Sequence, residues 1–387
     1  MNTLVLPDRR GGLRKNLAAV NWWLVIFLSL LAATGVATLY SVADGSWTPW
    51  ALNHIMRYAL GLMILMIAAF IPLRFWLSMS YPAYFFSLGL LALVPVIGEI
   101  NMGAQRWIVI GGFQLQPSEI MKVALVMALA RYYHGLDFKR VSNPIYLVIP
   151  LAMISLPVAL VFLQPDLGTA ILLGLSGIVV ILLAGLSWRI VVVGAILGLM
   201  GVVTVIQLDL IKPYQIERIT SFTNPEADPL GAGYHLAQSK IAIGSGGVTG
   251  KGYMNGTQSQ LDFLPEMHTD FIFTIFGEEF GFFGTIALLG LYLVVFLIGT
   301  NIAMKAKSHY GRLVTMGICI TFISYVLINT GMVMGLAPVV GVPLPLVSYG
   351  GTVMLTMMAA FGLVMSTWIN RDQDTLRTSM SYYGRIN

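Results

Sequence analysis

The residues able to do chemistry fall into four short clusters, and outside them the chain is largely inert. The first is GAQRW at 103–107 followed by QPSEIMK at 116–122. Pro117 suits the first position of a helix, which puts Glu119 in the first turn and Lys122 at i+3 on the same face. The pair is either a local ion bridge that makes Lys122 tolerable near lipid, or the border of a polar cavity that accepts an anionic headgroup. The second cluster is QPDLGT at 164–169, where Asp166 reads as a helix cap. The third contains Asp228, Lys240, the glycine-rich GSGGVTGKG at 244–252, Gln258, Gln260 and Asp262. It is not a nucleotide-binding P-loop, because Ser245 stands where glycine is required and Gly252 where Ser or Thr is required. It is either a flexible turn or a backbone nest for phosphate, with Lys240 and Lys251 as counter-charges.

The fourth cluster, LPEMHTDFIFTIFGEEFG at 264–281, holds the most suggestive group. Asp270 is the last polar residue before a strongly apolar run, so its carboxylate sits at a boundary between water and hydrocarbon. There it is a helix N-cap, as Thr269 could also be, or an acid–base group with a pKa raised by partial burial. A third option makes Glu266, His268 and Asp270 metal ligands. Glu278 follows eight residues later, roughly 12 Å deeper along a helix. Glu278 and Glu279 cannot face lipid unpaired, and Arg57 or Lys122 are the expected partners.

These groups need a scaffold, and composition says which. The chain has 387 residues, 57% hydrophobic and 10% charged, with a mean hydropathy of +0.81. A soluble domain carries roughly 25% charged residues. So little charge cannot cover a globule, and the surplus apolar surface must face lipid. The expected fold is all-α: a polytopic integral membrane protein with about ten spans, forming one transmembrane domain over 1–387. Runs able to cross ~30 Å of hydrocarbon lie near 22–41, 54–72, 78–97, 117–134, 145–163, 168–186, 189–208, 271–303, 312–337 and 346–369. The basic stretch Arg9, Arg10, Arg14 and Lys15 before the first run resembles a signal peptide, but the run is long enough to be retained as a span.

Net charge is +5, yet the basic residues lie in short loops rather than in a stripe, which excludes a nucleic-acid partner. They also orient the chain. With both termini cytoplasmic, 15 of the 22 Lys plus Arg face the cytoplasm and 13 of the 17 acids do not. The long connection 209–270 is then one large extracytoplasmic loop. Cys319, the single cysteine, lies inside an apolar run and forms no intramolecular disulfide.

Taken in order, GAQRWI, QPSEIMK, QPDLGT, DPLGAGYHLAQSKIAIGSGGVTGKG, GTQSQLDFLPEMHTDFIF and NTGMVMGLAPVVGVPLPLVSYGGT resemble the SEDS family of shape, elongation, division and sporulation proteins. The likeness runs from the first span to the last. GAQRW, GKGYMNGTQSQLDFLPE and GVPLPLVSYGG look more like the elongation members than the division members. The resemblance implies an inverting peptidoglycan glycosyltransferase in the bacterial plasma (inner) membrane, which polymerises lipid II into glycan strands during elongation and rod-shape maintenance. It implies a class B penicillin-binding protein as partner, together with other membrane proteins of the elongation complex. It makes Asp270 the essential acid and puts Trp107, Glu119 and Lys122 on functionally important positions.

Glycosyl transfer from a pyrophosphate needs a base for the acceptor hydroxyl and a stabiliser for the leaving anion. Asp270 is the expected base. Lys240, Lys251, Arg218 and Arg57, or a divalent cation such as Mg or Mn, are the expected stabilisers. The rivals are a lipid II flippase, which ten spans with buried charges also suit, and a non-catalytic scaffold of the elongation complex. Against the flippase, the acids gather at one membrane face rather than at the midplane.

Overall fold

The computed structural model describes residues 17–101, 104–111, 113–207, 232–257 and 266–373. Among them are eleven α-helices, ten of which fall on the apolar runs. These are α1 (Trp22–Val42), α2 (Ala51–Phe70), α3 (Leu73–Ile97), α4 (Pro117–His134), α5 (Pro144–Leu163), α6 (Leu167–Leu183), α7 (Trp188–Gln207), α9 (Ile272–Lys305), α10 (His309–Val333) and α11 (Gly351–Ile369). The eleventh, α8 (Ala232–Ser245), lies within the long connection. Seven of the ten are long and apolar enough to cross a membrane. The others are α6, with 17 residues, α7, and α4, which carries Glu119, Lys122 and Arg131. The protein is a multi-pass membrane protein.

Capping chemistry sets many of the boundaries. Pro117 and Pro144 occupy the first turn of α4 and α5. Asn21, Asn143, Asp166 and Ser308 cap α1, α5, α6 and α10 through side-chain oxygens. The core sits around α10 and α11, each with 72% of its most apolar window buried, against 28% for α2 and α3. Phe322 of α10 joins them by packing between Tyr292 of α9 and Phe361 of α11.

The structure departs from the sequence expectations in three places. The chain is not purely helical: β1 (Glu99–Asn101), β2 (Ala104–Ile110) and β3 (Phe113–Leu115) form a small antiparallel sheet between α3 and α4. Residues 346–350, expected to open the last span, belong instead to an irregular segment between α10 and α11. Such backbone is tolerated at depth only inside protein or beside a cavity, and Val342, Leu344, Leu346 and Val347 are buried. Helix α9 is long, 34 residues, and is broken at Gly281, whose φ of 63 and ψ of −160 are not helical.

Candidate active site

A cavity of about 530 Å³ opens where β2, the start of α4, the turn before α9 and the segment before α11 converge. Asp270, His268 and Glu266 line it together with Trp107, Glu119, Lys122 and Arg57. Seven of the ten residues singled out from sequence therefore share one cavity. Two of the others, Lys240 and Lys251, do not line it. Lys240 is exposed and lies against Gly335, Lys251 is paired elsewhere, and Arg218 is outside the described residues, as are Asp228, Gln258, Gln260 and Asp262.

Period-two alternation on β2 directs Trp107 and Val109 to the cavity together. Arg106, which also lines the cavity, donates to the Pro165 carbonyl at 2.5 Å and pairs with Asp166 at 3.7 Å. Asp166 is the cap expected of it, accepting from Thr169 N at 3.2 Å, and it also accepts from Gln116 Nε2 at 3.3 Å. One carboxylate thus fastens the hairpin, α4 and α6 at the cavity wall. The Glu119–Lys122 bridge exists at 2.7 Å, with both side chains almost wholly buried. Tyr325 of α10 completes it, donating to Glu119 Oε2 at 2.5 Å while Lys122 donates to its hydroxyl. Nothing in the sequence singled out Tyr325, because it arrives from a helix 203 residues away. Arg57 stacks over Tyr349 at 4.2 Å and joins no ion pair among the described residues.

Asp270 does not cap α9, nor does Thr269; the cap position is Phe271, and the Thr269 hydroxyl bonds to Glu266 at 2.8 Å. The turn carrying Asp270 is held through its carbonyls. Tyr349 N donates to His268 O at 2.8 Å, Ser348 Oγ to Thr269 O at 2.6 Å, and Asn329 Nδ2 to Asp270 O at 2.8 Å. His268 stacks on Trp50 at 4.7 Å. Burial lowers its pKa below the ordinary 6.5, and the Glu266 carboxylate opposes that shift. Among the described residues no three of His, Cys, Asp and Glu assemble as a metal set, so Glu266, His268 and Asp270 do not form one.

The expected partners of Glu278 and Glu279 were wrong. Glu278 bonds Lys251 Nζ at 2.5 Å and Thr257 N at 3.0 Å, and Ser41 of α1 donates to Glu279. The cause is the glycine stretch, whose backbone is bonded to that of α9. Lys251 N and Gly252 N donate to the carbonyls of Glu278 and Glu279 at 3.0 Å each, and Phe282 N donates back to Gly247 O at 3.0 Å. The loop docks into the break of α9, and the amides of Gly246, Gly247, Gly250, Lys251 and Gly252 are engaged within the protein.

Comparison with known proteins fits this architecture. Residues 15–373 match the cell cycle protein family of FtsW, RodA and SpoVE. The chain belongs to that family. It is 44% identical over 350 residues to the peptidoglycan glycosyltransferase MrdB of Escherichia coli (strain K12), covering 90% of this chain and 93% of that one. It is 35% identical to the probable peptidoglycan glycosyltransferase FtsW of Trichlorobacter lovleyi over 372 residues, covering 92% and 95%. Among solved structures it is similar to a chain of a peptidoglycan synthase complex described as coordinating polymerization and crosslinking (TM-score 0.80, 32% identity, 92% of this chain and 99% of that one). It is also similar to the rod shape determining protein RodA of Thermus thermophilus (TM-score 0.68, 30% identity, 93% and 100%).

Proposed function

We propose that this protein is a peptidoglycan glycosyltransferase of the elongation branch that polymerises lipid II at the outer face of the plasma membrane, with Asp270 as general base. Greater identity to MrdB than to FtsW supports the elongation assignment. The observation that carries the catalytic reading is Asp270 lining a cavity beside Arg57, a cation with no carboxylate partner among the described residues. Asp270 takes the proton of the acceptor's 4-hydroxyl. The oxygen attacks the anomeric carbon of the donor, the bond from that carbon to the pyrophosphate breaks, and the α linkage becomes β-1,4. The leaving polyprenyl pyrophosphate keeps the bonding electrons.

Of the basic residues considered for that anion, Arg57 is the best supported. Lys122 is already neutralised by Glu119, Lys251 by Glu278, and Lys240 lies away from the cavity. A divalent cation, Mg or Mn, is the alternative counter-charge, and activity after chelation distinguishes the two. A class B penicillin-binding protein is the proposed partner, since a similar chain occurs in a complex that couples polymerization to crosslinking.

The test is polymerisation of lipid II by the purified protein and its partner in detergent, where no translocation can occur. Asp270→Asn should lower the rate about 10²–10⁴-fold, the usual worth of a positioned base, with an unchanged melting profile. A wild-type protein that moves lipid II across vesicles but never polymerises it in detergent would be a flippase.

A further inference from the structure

Asn329 lies in α10 with no exposed surface. Its amide nitrogen donates to two carbonyls from different segments, Asp270 at 2.8 Å and Val342 at 2.7 Å. Those segments also meet at the carboxylate itself. Gly341 has φ +66, and a Cβ placed there would stand 3.1 Å from Asp270 Oδ2. The amide therefore fixes both the turn that carries Asp270 and the wall that the carboxylate rests against. Its own Oδ1 is buried with no hydrogen-bond partner. An orphaned buried acceptor is a penalty that an apolar residue of similar shape would not carry, so packing alone does not explain an asparagine here.

Ser348 repeats the device one residue earlier. Its hydroxyl donates to Thr269 O at 2.6 Å and accepts from Leu344 N at 2.7 Å, again bridging the turn to the segment before α11. We infer that Asn329, seconded by Ser348, is a positioning residue that sets the Asp270 carboxylate against the reacting hydroxyl. The inference rests on Asp270 being the base. Neither side chain touches substrate in this role. They remove the freedom of a turn that would otherwise wander by an ångström or so, which is enough to lose much of a positioned group's effect.

The experiment is steady-state polymerisation by the full chain co-purified with its partner. Asn329→Ala and Ser348→Ala are compared with wild type, all rates being normalised to folded protein by thermal melting. Each should lower kcat about 10- to 100-fold, the scale expected for a small misplacement, with KM for the lipid-linked donor changed less than about threefold. Asn329→Asp, which keeps the shape but loses the donors, should fall with Asn329→Ala. A folded Asn329→Ala with wild-type kcat, or with a raised KM alone, overturns the inference. If neither Asn329 variant folds, the residue is structural and the inference is also lost. Asp270→Asn run in parallel separates the two levels. An inactive Asp270→Asn beside a fully active Asn329→Ala sinks the positioning role alone, whereas an active Asp270→Asn sinks both.

Discussion

Lys122 has only 1% of its side chain exposed, and such a charge persists inside a lipid-facing bundle only because Glu119 and Tyr325 surround it. Removing one partner leaves an uncompensated charge. Glu119→Gln should therefore destabilise the detergent-solubilised protein by about 3–5 kcal/mol, while Glu119→Gln combined with Lys122→Met should lose clearly less than the two single changes summed. Thermal melting of the four proteins reads this directly. The pair itself was legible, because i and i+3 on one helix share a face. Tyr325 was not, since sequence spacing carries no information about which distant helix supplies a hydroxyl. His268 gives a pH signature at the same scale. Its pKa in the folded protein lies below 6.5, so the unfolded chain binds more protons between the two values. Stability then rises with pH through that window and is lost as pH falls through it. His268→Gln should flatten the slope of melting temperature against pH around 6, and an unchanged slope would show that another group titrates there.

At the scale of elements, the ten helices were legible because a membrane crossing demands a long apolar run, and the bilayer enforces its length. What the runs hid was everything that interrupts them. The strands between 99 and 115 are short and mix polar with apolar residues. Residues 334–337 and 346–350 are apolar enough to pass for span ends, though neither stretch is helical. The partners of Glu278 and Glu279 were hidden by a break in α9 that one glycine makes possible. Gly281 adopts a conformation open essentially only to glycine, and a Cβ there would collide with the backbone of Gly250. Gly250, with φ +83, faces the Glu279 carbonyl just as closely. Gly281→Ala and Gly250→Ala should each cost at least about 1–3 kcal/mol from strain alone. They should also release Lys251 from Glu278, seen as faster labelling of the Lys251 amine. Gly198→Ala in α7 meets nothing within 4 Å and should be neutral or stabilising by up to about 1 kcal/mol. Equal losses at all three positions would mean that the docked loop does not depend on the break.

For the whole molecule, the two ends of the bundle have different chemistry. Chain direction makes this concrete. The turn at 43–50 and the turn before α9 lie at the same end, since Trp50 stacks on His268, and the cavity is lined by residues of that second turn. Helix α4 starts at the cavity and delivers Lys139 and Arg140 to the opposite end. Helix α9 does the same for Lys305 and Lys307, and Arg371 joins them after α11, its carbonyl accepting from Lys307 N at 3.0 Å. Clustered Lys and Arg mark the cytoplasmic side, so the cavity end should face outward, the side on which the proposed polymerisation takes place. Labelling decides it. The native Cys319 is buried and stays silent, which leaves single cysteines to report. In right-side-out vesicles a membrane-impermeant maleimide should modify Thr48→Cys and spare Lys139→Cys, and inside-out vesicles should reverse the pattern. The opposite outcome would turn the cavity toward the cytoplasm, where a base at residue 270 could not build an external polymer, and the catalytic assignment would fail with the orientation.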